Sequence, residues 1–111
     1  MSRPVFYVAH PVAGDVPGNI ARVLRWHRWL TLNYPGKVFS VPWLPDVMAF
    51  DDANPAERAA GMERNMVHLG RCDGIVLVGG RVSPGMRAEA DAVPLSKAVW
   101  DLTHLGEEPP P

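Results

Sequence analysis

The stretch CDGIVLVGG, residues 72–80, decides the fold of this chain. Its centre, IVLV at 75–78, is apolar at every position, which is typical of a strand covered on both faces in the middle of a parallel sheet. Parallel strands need crossover connections, usually helices. We therefore expect the rest of the chain to alternate between strands and helices around this central strand.

Three further runs complete the predicted sheet. They are short, apolar and bounded by proline, glycine or polar residues, as strands usually are. The four predicted strands are 4–10, 37–43, 72–80 and 97–102. The order β-α-β-α-β-α-β predicts an α/β protein with a flavodoxin-like or Rossmann-like three-layer fold and a small parallel sheet of four or five strands.

Helix signals fill the gaps between the strands. Asn19 suits the N-cap of the first helix, and Asn54 suits the N-cap of the second, with Pro55 at its first position and Glu57 placed for a capping box. The stripes predicted to be buried are Ile20, Val23, Leu24, His27 and Leu30 in the first helix and Ala59, Met62, Met66 and Leu69 in the second. A third helix is predicted from about Met86 to Val93. The irregular stretch 44–55 resembles a functional lid.

The bulk composition limits the possible functions. The 111 residues suit one domain, predicted at 1–105, and the proline-rich end GEEPPP at 106–111 is predicted to be a disordered tail. The net charge of −1 speaks against a long nucleic acid as partner. The single cysteine, Cys72, excludes an internal disulfide and fits a reducing compartment. No stretch approaches the ~20 apolar residues of a membrane span. We expect a cytosolic protein with no membrane partner.

The first helix also carries a basic strip and two tryptophans. Arg22, Arg25 and Arg28 recur at three-residue spacing, which indicates either a solvated face or a strip that binds an anion or a partner. Trp26 and Trp29 lie about a quarter-turn outside the apolar stripe, so the helix would be apolar on two faces. We therefore predict a homodimer, or a higher homo-oligomer, that uses this helix.

Open parallel sheets bind ligands beyond the carboxyl ends of their strands. Tyr7 and His10 belong to the end of strand one, and the segment SPGM (83–86) opens a helix after the central strand. Backbone N–H groups and the helix dipole at that point favour an anion. Ser83 adds a hydroxyl, and Gly85 lets a ligand approach the backbone closely. The sequence therefore predicts a seat for a small anion or phosphate.

Charged residues surround this predicted seat. Arg81 and Arg87 flank it, and Met86 lies within it, so all three are candidates for ligand contact. Glu89 sits about one turn into the helix. It is either an ordinary solvated residue or a nucleophile held at the mouth of a pocket.

Three segments together resemble the nucleoside 2-deoxyribosyltransferase superfamily, in particular its short bacterial and phage members. They are FYVAHP (6–11), CDGIVLV (72–78) and SPGMRAEADA (83–92), and the resemblance covers roughly residues 4–102. It implies a flavodoxin-like sheet and cleavage or transfer at the N-glycosidic bond of a nucleoside or nucleotide. No metal or organic cofactor is implied.

The resemblance also implies roles for individual residues. Glu89 matches the glutamate that attacks the anomeric carbon. Asp73 is implied to protonate the departing base or to orient the nucleophile, and Tyr7 to hold the glutamate or the sugar. Ser83 stands where enzymes that act on free nucleosides carry an aspartate, which favours a 5′-monophosphate because a carboxylate would repel it. His10 stands where the family often has glycine, and could contact phosphate or block the pocket.

Two other functions stay open from the sequence. The same pocket could bind or sense a nucleotide without cleaving it, which His10 and the short C-terminal end favour. A scaffold with an empty pocket is the third possibility. Glu89, Ser83 and Gly85 in one motif favour the enzyme.

Overall fold

The structure, a computed structural model, describes residues 2–111. The strands are β1 (Val5–Ala9), β2 (Val38–Ser40), β3 (Gly74–Leu77) and β4 (Ala98–Asp101), and the helices are α1 (Val16–Asn33), α2 (Leu44–Ala49), α3 (Pro55–Gly70) and α4 (Pro84–Ala92). A 3-10 turn, Thr103–Leu105, follows β4. Helices flank a four-stranded sheet, which confirms the predicted α/β three-layer fold.

All strand pairs are parallel, in the order β2-β1-β3-β4. All four residues of β3 are buried, as its apolar run predicts. The chain leaves β1 towards β2 on one side and returns to β3 on the other side. The crevice beyond the carboxyl ends of β1 and β3 is therefore the place where such a sheet usually binds a ligand.

Successive residues of β1 point to opposite faces of the sheet. Phe6 lies on the face of an aromatic cluster, with ring centroids 6.2 Å from Phe39 and 6.1 Å from Trp100. Tyr34, the C-cap of α1, packs edge-on against Trp100 with the ring centroids 4.8 Å apart. The end of α1 therefore lies on this face of the sheet. Tyr7 points to the other face, where α4 lies.

The first helix begins earlier than predicted. Its N-cap is Asp15, whose side chain accepts a hydrogen bond from the N–H of Gly18 at 3.1 Å. Asn19, predicted as the N-cap, lies buried inside α1 and donates from Nδ2 to the carbonyl oxygen of Val12 at 2.9 Å. The helix begins at this earlier position because Pro17 has a backbone φ that is pre-organised for the first helical turn.

The buried stripe of α1 is also rotated from the predicted one. Val23 and Leu30 are buried as predicted, but Leu24 is 50% exposed and Trp26 is fully buried. The Trp26 indole can be buried because its Nε1 donates to the carbonyl oxygen of Glu107 at 2.9 Å. Trp26 is therefore a core residue and cannot serve a dimer interface. The homodimer stays a prediction, which now depends on exposed apolar residues such as Leu24 and Leu32.

The stretch 44–55 is more regular than predicted, because it contains α2. The N-cap of α3 is Asn54, as predicted, and its Oδ1 accepts from the N–H groups of Ala56 and Glu57. The Glu57 side chain does not complete a capping box; it accepts from the N–H of Asp51 at 3.3 Å. Of the predicted α3 stripe, Leu69 is buried, Met62 and Met66 are half-buried, and Ala59 is exposed.

Residues 106–111, predicted to form a disordered tail, run back against α1 in the structure. Besides the Trp26 bond, Arg25 donates to both carboxylate oxygens of Glu108, at 2.8 and 2.6 Å. The backbone of Glu107 also lies close to Gly80, beyond the end of β3. No helix within residues 2–111 combines the length and the apolar character needed to cross a bilayer.

Candidate active site

Glu89 and Tyr7 form a buried pair between α4 and β1. Glu89 is 6% exposed and Tyr7 is completely buried, and the Tyr7 hydroxyl donates to Oε2 of Glu89. The ordinary solvated role for Glu89 is therefore wrong. Because buried carboxyl groups are rare unless they have partners, this pair is the strongest chemical feature of the fold.

Burial controls the ionisation of both groups. It raises the pKa of Glu89 from 4.5 to about 7, while the hydrogen bond from Tyr7 acts in the opposite direction. Burial, and next the charge of Glu89, raise the pKa of Tyr7 well above its usual value of 10. Tyr7 is therefore a permanent hydrogen-bond donor at neutral pH, and Glu89 can be either acid or carboxylate.

A cavity of about 160 Å³ lies against Glu89, beyond the carboxyl ends of β1 and β3. Its walls include the end of β1 at His10, the first turn of α4 and the α2–α3 segment. The volume is about ten times the roughly 10–15 Å³ that holds one water, so the cavity suits a small molecule.

The first turn of α4 forms one wall of this cavity. Ser83 is the N-cap, and its Oγ accepts from the N–H of Met86 at 3.3 Å. Pro84 has no N–H, and within residues 2–111 the N–H of Gly85 makes no backbone hydrogen bond. A Cβ on Gly85 would meet nothing within 4 Å, so open space adjoins it. The Gly85 N–H and the Ser83 hydroxyl hydrogen are the donors left for a ligand.

Residues 4–98 match a protein family described as "Domain of unknown function (DUF7768)". The chain belongs to the DUF7768 family. The matched range spans both partners of the Tyr7–Glu89 pair and the first turn of α4. No curated protein and no solved structure matches the chain.

Of the two arginines predicted to flank the anion seat, only one lies at the cavity of this DUF7768 domain. Arg81 lines the cavity, but Arg87 does not. Arg87 is exposed on α4 instead, and its charge is only a small cause of the lowered pKa of Asp101, after the hydrogen bonds from Thr103 and the charge of His104. Arg81 is therefore the better candidate for contact with an anion at this wall.

Asp73 does not reach the site. It precedes β3, and its Oδ2 accepts from the backbone N–H of Val5 at 2.7 Å. Both strands begin at that point, so Asp73 lies at the edge of the sheet opposite to the cavity. A parallel sheet puts every strand start at one edge and every strand end at the other. The structure thus gives Asp73 a role in holding β1 to β3.

The α2–α3 segment of the DUF7768 domain adds site residues that were not named individually from the sequence. Asp51, Asp52, Arg58 and Asn65 line the cavity. Arg58 pairs with Asp52 at 3.3 Å, and the Oδ1 atom of Asn65 is buried without a hydrogen-bond partner among the described residues. Asp51 and Asp52 belong to stretch 44–55, which was predicted to be a functional lid, whereas no sequence signal pointed to Arg58 and Asn65 in α3.

Proposed function

We propose that this domain cleaves or transfers at the N-glycosidic bond of a nucleoside 5′-monophosphate, a deoxynucleoside 5′-monophosphate or a nucleoside, with Glu89 as the nucleophile. The buried Tyr7–Glu89 pair beside the cavity is the observation that carries the proposal. Structural carboxylates more often pair with cations or with backbone N–H groups. A carboxylate held by one phenol at a cavity wall suits covalent chemistry.

The reaction follows from the position of the carboxylate. One oxygen of Glu89 forms a bond with the anomeric carbon while the bond from that carbon to the base nitrogen breaks, and the base leaves with the electron pair and gains a proton. Water, or the nitrogen of a second base, then attacks the glycosyl ester and frees Glu89, so the configuration is retained. Tyr7 holds Oε2, which leaves the other oxygen to attack.

The first turn of α4 supports a phosphate on the substrate. The Gly85 N–H, the Ser83 hydroxyl and Arg81 are donors along one wall of the cavity, and the helix dipole adds to their attraction. A 5′-monophosphate is therefore the preferred form of the substrate. Equal turnover of nucleosides and nucleotides would contradict this preference.

The proton for the departing base needs a source other than Asp73. Asp51 is one candidate, because it lines the cavity. Neither the nucleophile nor the acid requires a metal or an organic cofactor. The single free cysteine, Cys72, fits the cytosolic location that belongs to this proposal.

A nucleotide-binding module without catalysis is the second candidate. The position of Asp73 favours it, because the acid implied by the family resemblance lies at the far edge of the sheet. A binding module would keep the cavity and the anion seat but would leave the glycosidic bond intact.

The deciding experiment incubates the purified protein with a panel of ribo- and deoxyribonucleosides and their 5′-monophosphates and measures free base by chromatography. We expect release that is lost in Glu89→Ala and Glu89→Gln and kept in Glu63→Gln, a control at an exposed glutamate of α3. Thermal stabilisation by a nucleotide without any base release would favour the binding module. Sedimentation velocity on the same sample tests the proposed homodimer.

A further inference from the structure

Phe50 is an aromatic side chain that the hydrophobic core does not include. It is the C-cap of α2, lines the cavity and is 47% exposed. Among the described residues it belongs neither to the buried core nor to the hydrophobic side chains packed against that core, and it pairs with no other aromatic ring. Ligand sites are commonly lined by accessible aromatic side chains of this kind.

A cation lies against the Phe50 ring. The guanidinium carbon of Arg64 is 5.1 Å from the ring centroid, which is the geometry of a cation–π pair. Arg64 is positioned in turn by Asp46, because its Nε donates to Oδ2 of that residue at 2.6 Å. Asp46 and Arg64 line the same cavity as Phe50. The ring is therefore supported by a cation whose own place is set, while about half of the Phe50 side chain remains accessible.

The other charged groups of this wall do not suit a phosphate. Both arginines of the α2–α3 wall are paired with carboxylates, Arg58 with Asp52 at 3.3 Å and Arg64 with Asp46. Two further acidic residues, Asp51 and Glu57, also line the cavity. Because carboxylates repel a phosphate, the phosphate belongs at the α4 wall. The α2–α3 wall therefore suits the uncharged, planar part of a ligand.

We propose that the base of the nucleotide stacks on the Phe50 ring, which makes Phe50 a specificity-determining residue for planar ligands. This inference rests on the proposed function, in which Glu89, at the same cavity, attacks the carbon that bears the base. Every base has a π face, so an aromatic side chain stabilises any of them by stacking. The phosphate then lies at the first turn of α4, the sugar at Glu89 and the base at Phe50.

Proton NMR of protein with labelled phenylalanine tests the contact directly. The chain has three phenylalanines, and Phe6 and Phe39 are buried in the core, so they are internal controls. The probes are the nucleoside 5′-monophosphates of each base, and ribose 5-phosphate, which lacks a base, added to Glu89→Gln so that no turnover occurs. We expect the ring current of a stacked base to shift the Phe50 ring resonances upfield, and ribose 5-phosphate to leave them in place. No such shift with any nucleotide, or an equal shift with ribose 5-phosphate, would overturn the inference.

Two substitutions at Phe50 give a matched comparison in the same Glu89→Gln background. Phe50→Tyr keeps the aromatic face, and Phe50→Leu keeps an apolar side chain without that face. By calorimetry, we expect Phe50→Leu to weaken nucleotide binding roughly 10-fold, with the Kd of ribose 5-phosphate unchanged. Phe50→Tyr should bind the nucleotide as the parent does.

Met48→Ala is the control for these substitutions. Met48 is an exposed residue of the same helix that is not part of the cavity wall, so its replacement should change neither Kd. Phe50 lies outside the core, so both of its variants should fold. An equal Kd for the nucleotide in Phe50→Leu and in the parent would overturn the inference.

The failures of the two proposals can be told apart. Base release that depends on Glu89 and is equally efficient in Phe50→Leu would leave the glycosidic reaction standing and remove the role of Phe50. A nucleotide-specific shift at Phe50 without base release from any substrate would do the reverse.

Discussion

Tyr7 and Glu89 are separated by 82 positions in the sequence, and their side chains meet in a buried hydrogen bond between β1 and α4. The contact requires the parallel pairing of β1 with β3, because α4 follows directly after β3. The bond therefore ties the chemistry of the candidate nucleophile to the central strands of the sheet.

Replacing Tyr7 by phenylalanine should raise the pKa of Glu89. The hydroxyl donates to the carboxylate and lowers that pKa, and a hydrogen bond to a charged group is worth about 1.5–3 kcal/mol. We expect the pKa measured by 13C NMR of the Glu89 carboxyl to rise by about one or two units. The rate of base release at pH 7 should fall roughly 10-fold or more. In the pH–rate profile, the rise that reports ionisation of Glu89 should move to higher pH. Tyr34→Phe, on the face of the sheet that packs against α1, is the control. The prediction is contradicted if the Glu89 carboxyl titrates with the same midpoint in Tyr7→Phe and Tyr34→Phe.

Replacing Glu89 by glutamine should change how stability depends on pH. The native state raises the pKa of Glu89 from 4.5 to about 7, so it favours the protonated form. Below pH 4.5 Glu89 is protonated in both the native and the unfolded state, so its burial does not reduce the free energy of unfolding. As the pH rises from 4.5 to 7 the unfolded state ionises first, which destabilises the native protein by up to about 3 kcal/mol. Above pH 7 the loss is complete.

Urea unfolding of the parent protein and Glu89→Gln at pH 4, 6 and 8 measures this effect. The parent should lose stability relative to the variant across that range, because glutamine does not titrate. If the difference in the free energy of unfolding between parent and variant stays constant from pH 4 to pH 8, burial of Glu89 does not destabilise the native protein.

Two glycines near the site should respond differently to alanine. Gly79→Ala places a Cβ against His10 at a positive φ, so we expect a loss of about 1–3 kcal/mol or more in the free energy of unfolding. The Cβ of Gly85→Ala meets no atom within 4 Å and lies in a helix, so the fold should be unchanged or more stable by about 0.5–1 kcal/mol.

Gly85→Ala should nevertheless weaken the binding of a nucleotide whose phosphate is held at the Gly85 N–H, as measured by calorimetry. Undiminished binding would place the phosphate elsewhere.

The sequence predicted the parts of the fold that depend on local signals. The apolar run at 75–78 placed the central strand, and Asn54-Pro55 placed the start of α3. The predicted stripe of α1 was wrong for Leu24 and Trp26, because the indole finds its acceptor on Glu107, which is 81 positions away. Periodicity within one helix contains no information about such a distant partner.

The candidate site could be predicted in part for the same reason. Ser83, Gly85 and Glu89 lie within one short segment, and strand order brings Tyr7 to them. Only the family resemblance brought Asp73 to the site, because its place before the central strand already indicated the opposite edge, and the structure keeps it there. The cavity wall formed by the α2–α3 segment depends on how that segment packs over the strand ends, which no local pattern specifies.

The contact between α1 and the C-terminal end can be tested through the Trp26 indole. Its N–H donates to the Glu107 carbonyl in a buried position, so its hydrogen exchange should be slow. A chain that ends at Gly106 loses this acceptor, and we expect Trp26 exchange to accelerate roughly 10-fold or more while the rate at Trp43 Nε1, which donates to the Val8 carbonyl, is unchanged. Arg25→Ala should have a smaller and salt-dependent effect, because both partners of the Arg25–Glu108 pair are about half exposed. If Trp26 exchanges equally fast in both chain lengths, residues 106–111 are the disordered tail that their composition suggests, and the indole is buried without help from Glu107.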